Sequence, residues 1–339
     1  MPLLAKSKKH GRLFLNPVPV KVGGFSTVLK VLPRFLFNKA ETEPKSPLGP
    51  FSTDVSVYAT PASSGLRVTW FGHSSSLVEI DGSRVLIDPV WDLRASPFRW
   101  MGPKRFFAPT VSLESLPTLD AVLISHDHYD HLGAETVRRL AKLQPEVRWV
   151  TSLCVGAWLR KFGVLSERIV ELDWTESVEV GTRRLTAWPT RHFSGRTASD
   201  RFTTLWSAFV VEGPKRRIYY GADSGYWEGF GEIATQYESF DLVMLEIGAF
   251  DPMWADIHLG PDNAARAYAA MGGNAGSGML MPIHWGLFNL ALHGWRQPIQ
   301  RLSELAREQG LKLWSPRPGE PTEVIAGEQM QSSWWKPKP

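Results

Sequence analysis

Within six residues of this chain, in Ser125-His-Asp-His-Tyr-Asp-His131, fall three imidazoles and the carboxylate of Asp130. His126 and His128 are two residues apart and can turn the same way from a loop. Asp130 and His131 follow at once and can face a second ion. On one tight loop such groups repel and desolvate each other unless something cationic binds them. The pattern therefore points to a metal site rather than to packing or a solvated turn. One loop cannot close two metal sites, and only nine histidines exist to complete them. His192 in Pro189-Thr-Arg-His-Phe, Asp223 in Tyr220-Gly-Ala-Asp-Ser-Gly225 and His284 in Met281-Pro-Ile-His-Trp-Gly286 are the candidates. Each lies just past an apolar run, in a loop containing Gly or Pro, where a sheet would fix the loop stems.

The elements that must position these side chains begin near Leu66. Strand-like segments rich in Val, Ile, Leu, Tyr and Trp occur at 67–71, 76–80, 84–87 and 121–124. Others occur at 184–188, 205–211, 217–220, 242–247 and 279–283. Asp81-Gly82 reads as a two-residue hairpin turn between the second and third. Helical spacing covers 134–142, 263–271 with Asp262 as its N-cap, and 298–309 ahead of Gly310. Early hairpins followed by strand–helix alternation predict an α/β fold, two sheets sandwiched between helices. Residues 1–65, with Pro17, Pro19, Pro33, Pro44, Pro47, Pro50 and Pro61, read as a Pro-rich N-terminal arm packing on the domain, with one short helix at 28–37. The domain spans 66–326, and 327–339 form a C-terminal tail. No internal repeat is visible in the letters.

Composition bounds the rest. With 339 residues, 43% of them hydrophobic and 21% charged, the chain can build one large globular core. A formal net charge of +4 favours anionic partners without singling one out. Cys154 is the only cysteine, so no intramolecular disulfide exists, and its apolar neighbours predict a buried structural thiol. No secretory signal is read at the start. The stretch 267–295 lacks Asp, Glu, Lys and Arg, but glycines, Pro282 and His284 interrupt it, so it is not read as a membrane span. The expected compartment is the cytoplasm, including the inner membrane surface. The 15 tryptophans are expected mainly in the core.

Taken together, His-x-His-x-Asp-His, a later His, Gly-x-Asp-x-Gly and a late His resemble the metallo-β-lactamase superfamily. The resemblance is closer still to its N-acyl-phosphatidylethanolamine-hydrolysing phospholipase D branch, with its RomA-like bacterial members. It runs through Thr69-Trp-Phe-Gly-His-Ser, Ile87-Asp-Pro-Val, Arg94-Ala-Ser-Pro-Phe-Arg-Trp-Met-Gly-Pro-Lys-Arg-Phe107, Glu171-Leu-Asp-Trp174, Ile247-Gly-Ala-Phe-Asp-Pro and Ile283-His-Trp-Gly. It covers roughly residues 66–315 and implies an αββα metallo-β-lactamase sandwich of two mixed sheets flanked by helices. It assigns His126, His128 and His192 to one metal, Asp130, His131 and His284 to a second, and Asp223 as the bridge. It places His73 and His258 near the metals. Ser224 stands where the branch commonly has Thr. Asp127 stands where the lipase has an uncharged amide, and it is included among the catalytic candidates with Asp223, His258 and His73.

Two divalent ions roughly 3.5–4 Å apart would share a hydroxide, lower the pKa of its parent water to about 7 and hold the charge that develops on in-line attack. Zinc suits imidazole ligands, while the same donor set accepts iron, manganese or nickel. The favoured substrate is a phosphodiester, most concretely an N-acyl-phosphatidylethanolamine-like glycerophospholipid. The aromatic and basic loop 98–107 either meets a lipid interface, as a peripheral membrane contact, or packs under the arm. The alternatives are a lactonase or other ester hydrolase on a soluble substrate, a nuclease, for which no nucleic-acid clamp is visible, and a non-catalytic binding scaffold. Homo-oligomerisation is left open.

Overall fold

Asp81 and Gly82 both take positive φ, 46° and 86°, and join two antiparallel strands in which Ile80 pairs with Ser83. That is the tight turn an Asp-Gly pair favours, because its twist matches the strands it connects. The computed structural model describes residues 3–23, 33–34, 37–273, 278–325 and 332–336. A small hairpin, β1 (Lys8–His10) and β2 (Leu13–Leu15), lies in the arm. β3 (Leu66–Gly72), β4 (Ser75–Ile80), β5 (Ser83–Ile87), β6 (Ala121–Ile124), β7 (Arg148–Ser152) and β8 (Ile169–Leu172) build the first large sheet. β9 (Ser177–Val180), β10 (Arg183–Trp188), β11 (Ala208–Glu212), β12 (Arg217–Tyr220), β13 (Leu242–Glu246) and β14 (Met279–Ile283) build the second. β15 (Pro321–Glu323) returns to the first, whose order is β15-β3-β4-β5-β6-β7-β8, against β14-β13-β12-β11-β10-β9 in the second.

Both sheets are mixed, antiparallel at first and parallel later: β5-β6-β7-β8 in one and β12-β13-β14 in the other. Residue alternation explains why central strands read as unbroken apolar runs. Val78 and Ile80, Val85 and Ile87, and Ala121 and Leu123 join the core shared with the second sheet. Leu77, Leu86, Val122 and Ile124 point the other way, onto a core with Val137 and Leu140 of the helix Ala134–Leu143 and Leu159 of Gly156–Lys161. A strand covered on both faces must be apolar at both parities. Helices Gly260–Ala270 and Gln297–Gln309 contribute Ala264, Ala267, Tyr268, Ile299 and Leu302 to the core of the second sheet.

The αββα sandwich is as the sequence predicts, and most strands match within one or two residues. The strand expected over 205–211 is shorter and begins at Ala208. Strands β7, β8, β9 and β15 and the helices Gly156–Lys161 and Gly229–Ala234 were not anticipated. Asp262 is not an N-cap: the helix starts at Gly260, and Asp262, in its first turn, pairs with Arg301 at 2.7 Å. Cys154 is half-buried rather than buried, at φ 68°, beside the cluster of Phe14, Trp174, Leu205 and Trp206. Most of the helix expected at 28–37 lies outside the described residues; 33 and 34, which lie within them, are helical. Ten of the tryptophans are buried, while Trp100 is 74% exposed. Among the described residues no helix is long and apolar enough to cross a membrane.

Candidate metal centre

Apart from the one that carries His258, every chain segment that carries a candidate donor leaves a strand at its C-terminal end. β3 leads to His73, β5 to Asp88, β6 to His126–His131, β10 to His192, β12 to Asp223, β13 ends on Glu246, and β14 leads to His284. These strands run the same way within their sheets, so their loops collect along one edge. Two of the close approaches require glycine. A Cβ at Gly248 would sit 2.0 Å from the His284 carbonyl oxygen, and one at Gly225 would sit 2.1 Å from that of Asp256. His73, Asp88 and His284 adopt positive φ of 55°, 38° and 61°, a backbone rarely held by such residues and concentrated at functional sites.

The loops bring the predicted side chains together in two adjoining groups. In one, donor atoms of His126, His128, His192 and Asp223 lie within 4.8 Å of each other; in the other, those of His73, Asp130, His131 and His284 do. Asp223 stands between them. One of its carboxylate oxygens is 3.5 Å from His192 Nε2 and 3.1 Å from His284 Nε2, and the other is 3.2 Å from His131 Nε2. Asp130 Oδ2 is 2.8 Å from His73 Nε2 and 3.2 Å from His284 Nε2.

Hydrogen bonds to the far side of several rings fix which nitrogen faces inward. His192 Nδ1 donates to the Ile257 carbonyl at 2.8 Å and His131 Nδ1 to Asp88 at 2.7 Å. His126 Nδ1 lies 2.9 Å from the Ser125 hydroxyl. Asp88 also accepts from the Ser125 amide and hydroxyl and from the Tyr220 hydroxyl, so one buried carboxylate pins the whole 125–131 loop. On the other side Asn16, in the arm, bonds both backbone groups of His192: its amide donates to the His192 carbonyl at 2.7 Å and accepts from the His192 N–H at 3.0 Å. Glu246 accepts from His258 Nδ1 at 2.6 Å and from the amides of Ser224 and Leu259.

Burial pushes the His126 and His192 imidazoles well below their usual range, leaving them neutral. Burial opposes charge on His131 and His284 too, but Asp223 and Asp130 outweigh it; His131 is held well above its usual range and His284 is pushed up to about 10. Burial likewise opposes ionisation of Asp130 and Asp223, and the adjoining imidazoles, His131 foremost, overcome it and hold both carboxyls well below theirs. The buried carboxylates thus demand nearby positive charge, which a proton on His131 or His284 can supply. A divalent ion supplies the same charge and takes the place of such protons. His131 Nε2 and Asp223 Oδ1, which face each other at 3.2 Å, are buried without a hydrogen-bond partner, as donors aimed at a cation would be. An N/O set of this kind fits zinc and its neighbours.

Two expected residues sit differently. Asp127 belongs to neither donor group; its carboxylate accepts from the Gly195 amide at 2.8 Å and the Thr204 hydroxyl at 2.9 Å, bracing the loop after His192. His258 is held by Glu246 at the wall of a cavity of about 380 Å³ that has His128, Asp130, Asp223 and His284 at its floor. Apolar groups, Val22, Phe193, Trp254, Ile257 and Leu290 among them, form most of the remaining wall, and Arg201 is its one Lys or Arg among the described residues. His10 lies on exposed β1, and His293 stacks on Phe250. Asp88, Glu246, Asn16 and Arg201 were not singled out from sequence. Asp88 and Glu246 carried a signal, a carboxylate ending an apolar strand, while Asn16 carried none.

A family profile described as the beta-lactamase superfamily domain matches residues 83–285. The chain belongs to the metallo-β-lactamase superfamily of metal-dependent hydrolases. Within the superfamily it is 46% identical over 273 residues to an uncharacterized protein of Mycobacterium tuberculosis, spanning 80% of this chain and 72% of that one. It is 37% identical over 258 residues to N-acyl-phosphatidylethanolamine-hydrolyzing phospholipase D 1 of Caenorhabditis elegans, spanning 72% of this chain and 71% of that one. The isothiocyanate hydrolase from Delia radicum gut bacteria shares the fold, with a TM-score of 0.61 at 20% identity, covering 77% of this chain and 100% of that one.

Proposed function

We propose that this hydrolase cleaves a phosphodiester carrying an apolar tail, as a phospholipase of D type. The reading has His126, His128 and His192 holding one divalent ion, Asp130, His131 and His284 a second, and Asp223 both; the preferred metal is zinc. Such ions supply Lewis acidity and make water a nucleophile at neutral pH. The observation that carries the substrate class is the cavity over these donors, mostly apolar in wall with Arg201 its one Lys or Arg among the described residues. Arg201 is matched to the one negative charge of a diester, and a neutral lactone gains nothing from it. The apolar wall takes the tail.

His258 serves the leaving group. With Nδ1 bonded to Glu246, its Nε2 is the nitrogen left to hand a proton to the departing oxygen as the P–O bond to the alcohol breaks and the bond from phosphorus to the water oxygen forms. His73 steadies Asp130 at 2.8 Å. The 98–107 loop divides: Phe106 and Phe107 are buried, Phe107 packing on Phe51, whereas Phe98, Trp100 and Met101 are exposed, with Arg99 and Lys104 beside them. The loop begins near Ala95, which lines the cavity, so its exposed part is suited to rest on a lipid surface at the mouth. The relative in Caenorhabditis elegans, named for hydrolysing N-acyl-phosphatidylethanolamine, supports the same reading.

Competition between a diacyl phospholipid and a short water-soluble phosphodiester, on metal-loaded protein, tests it. Preferential turnover of the diacyl substrate is expected. Preference for the short diester, or for a lactone over both, overturns the lipid assignment while leaving the metal centre standing.

A further inference from the structure

A second cavity, of about 480 Å³, lies where arm residues 41–51, the start of the helix Gln297–Gln309 and the C-terminal residues meet. Its volume is in the range of small-molecule sites. None of its lining residues lines the cavity over the metal donors. Its walls include four aromatic side chains, Phe51, Trp295, Trp334 and Trp335. Flat faces of this kind favour a flat ligand, by stacking or edge contact.

The charge around it is one-sided. Among the described residues, Lys45, Arg296, Arg317 and Lys336 face a single carboxylate, that of Glu41. Glu41 is already committed, to Arg296 at 3.2 Å and to the Trp295 indole N–H at 3.2 Å. Lys45, Arg317 and Lys336 form no ion pair among the described residues; Arg317 instead lies 5.4 Å over the Phe51 ring and Lys336 5.5 Å over that of Trp335. The indole N–H of Trp335, a residue only 6% exposed, has no acceptor among the described residues. Unmatched cations beside an unmatched buried donor call for an anion.

We propose that this cavity binds a small aromatic carboxylate, its rings against the indoles and its carboxylate toward Arg317, Lys45 and Lys336. The site stands apart from the hydrolytic centre and does not depend on the substrate assigned to it. Isothermal titration of the intact, metal-loaded protein with 2-naphthoate, and separately with the neutral 2-naphthalenemethanol, tests it. One site per chain is expected for the carboxylate, with affinity about tenfold lower for the alcohol, the size of one lost charged hydrogen bond. The double variant Arg317→Ala/Lys45→Ala, which changes two exposed side chains, should weaken 2-naphthoate by at least about tenfold and leave hydrolysis unchanged. Equal binding by the double variant, or equal affinity for the alcohol, overturns the proposal. So does binding that survives in the double variant but disappears in Asp223→Ala, since it would place the ligand at the metal centre.

Discussion

The two sheets deliver their donors in opposite ways. The first supplies four from one loop of six residues after β6, and a single carboxylate, Asp88, pins that loop at several points. The second supplies three from three separate loops, after β10, β12 and β14, each steadied from elsewhere. Asn16 and Ile257 hold His192, Glu246 holds the Ser224 amide next to Asp223, and Gly248 lets the chain pass the backbone of His284. One half of the centre is organised by adjacency along the chain. The other is organised by tertiary contacts up to 176 residues long, and is open to damage from positions that never approach a metal.

The largest effect should come from the residue common to both halves. Asp223→Ala is expected to take bound metal from about two ions per chain to below one and to lower kcat/KM by more than about a hundredfold, beyond what loss of an outer partner of a metal ligand costs. Elemental analysis with steady-state kinetics reads both, and a variant that keeps two ions and near-normal turnover would remove Asp223 from its central place. Asp88→Asn keeps the volume but weakens the pin on the 125–131 loop, and should cost about 10–100-fold in metal affinity. Asn16→Ala should stay at the lower end, about tenfold, because the Ile257 carbonyl still holds the His192 ring. Competition with a chelator ranks the two, and Asn16→Ala proving worse than Asp88→Asn would break the contrast between the halves.

The smallest effect is expected at a carboxylate remote from both. Glu323 on β15 accepts from the Ser63 hydroxyl, from the Ser63 and Ser64 amides and from Arg67, and the Ser63 hydroxyl foremost lowers it from an ordinary 4.5 to about 2. A carboxyl lowered by folding adds stability that is complete above its unfolded value and disappears as pH falls from about 4.5 toward 2. Glu323→Gln should therefore lower the urea midpoint at pH 6 and converge on the parent near pH 2–3. A difference that stays constant with pH would show that the loss is packing rather than charge.

How much of this was legible follows from the same contrast. Ala121-Val-Leu-Ile124 and the His-rich loop announce themselves because strand, turn and donors are contiguous. Asp81-Gly82 does the same for its hairpin. β8, β9 and β15 are three- or four-residue strands at or next to sheet edges, partly exposed and carrying Glu171, Glu179 or Pro321, and they are strands only because a neighbour offers them an edge. His192, Asp223 and His284 could be picked out because imidazoles are scarce and because a known pattern orders them. Asp88 and Glu246 are marked as carboxylates at the ends of apolar strands, but only folding shows that they meet Ser125, His131 and His258. Asn16 lies in a Pro-rich arm whose letters say nothing of His192.

The position of Asp223, a second-sheet residue among donors of the first, has a mechanical consequence. Any ion that it shares with the 126–131 loop would be a rivet through both layers of the sandwich, placed at the edge where their loops collect. Such a rivet closes a loop of about a hundred residues between the two halves, as a long-range cross-link does, and restricts the unfolded chain for as long as the ion is bound. The metals that serve hydrolysis would then also set how slowly the two layers separate, and a chelator would act on this enzyme as a reducing agent acts on a disulfide-stapled protein.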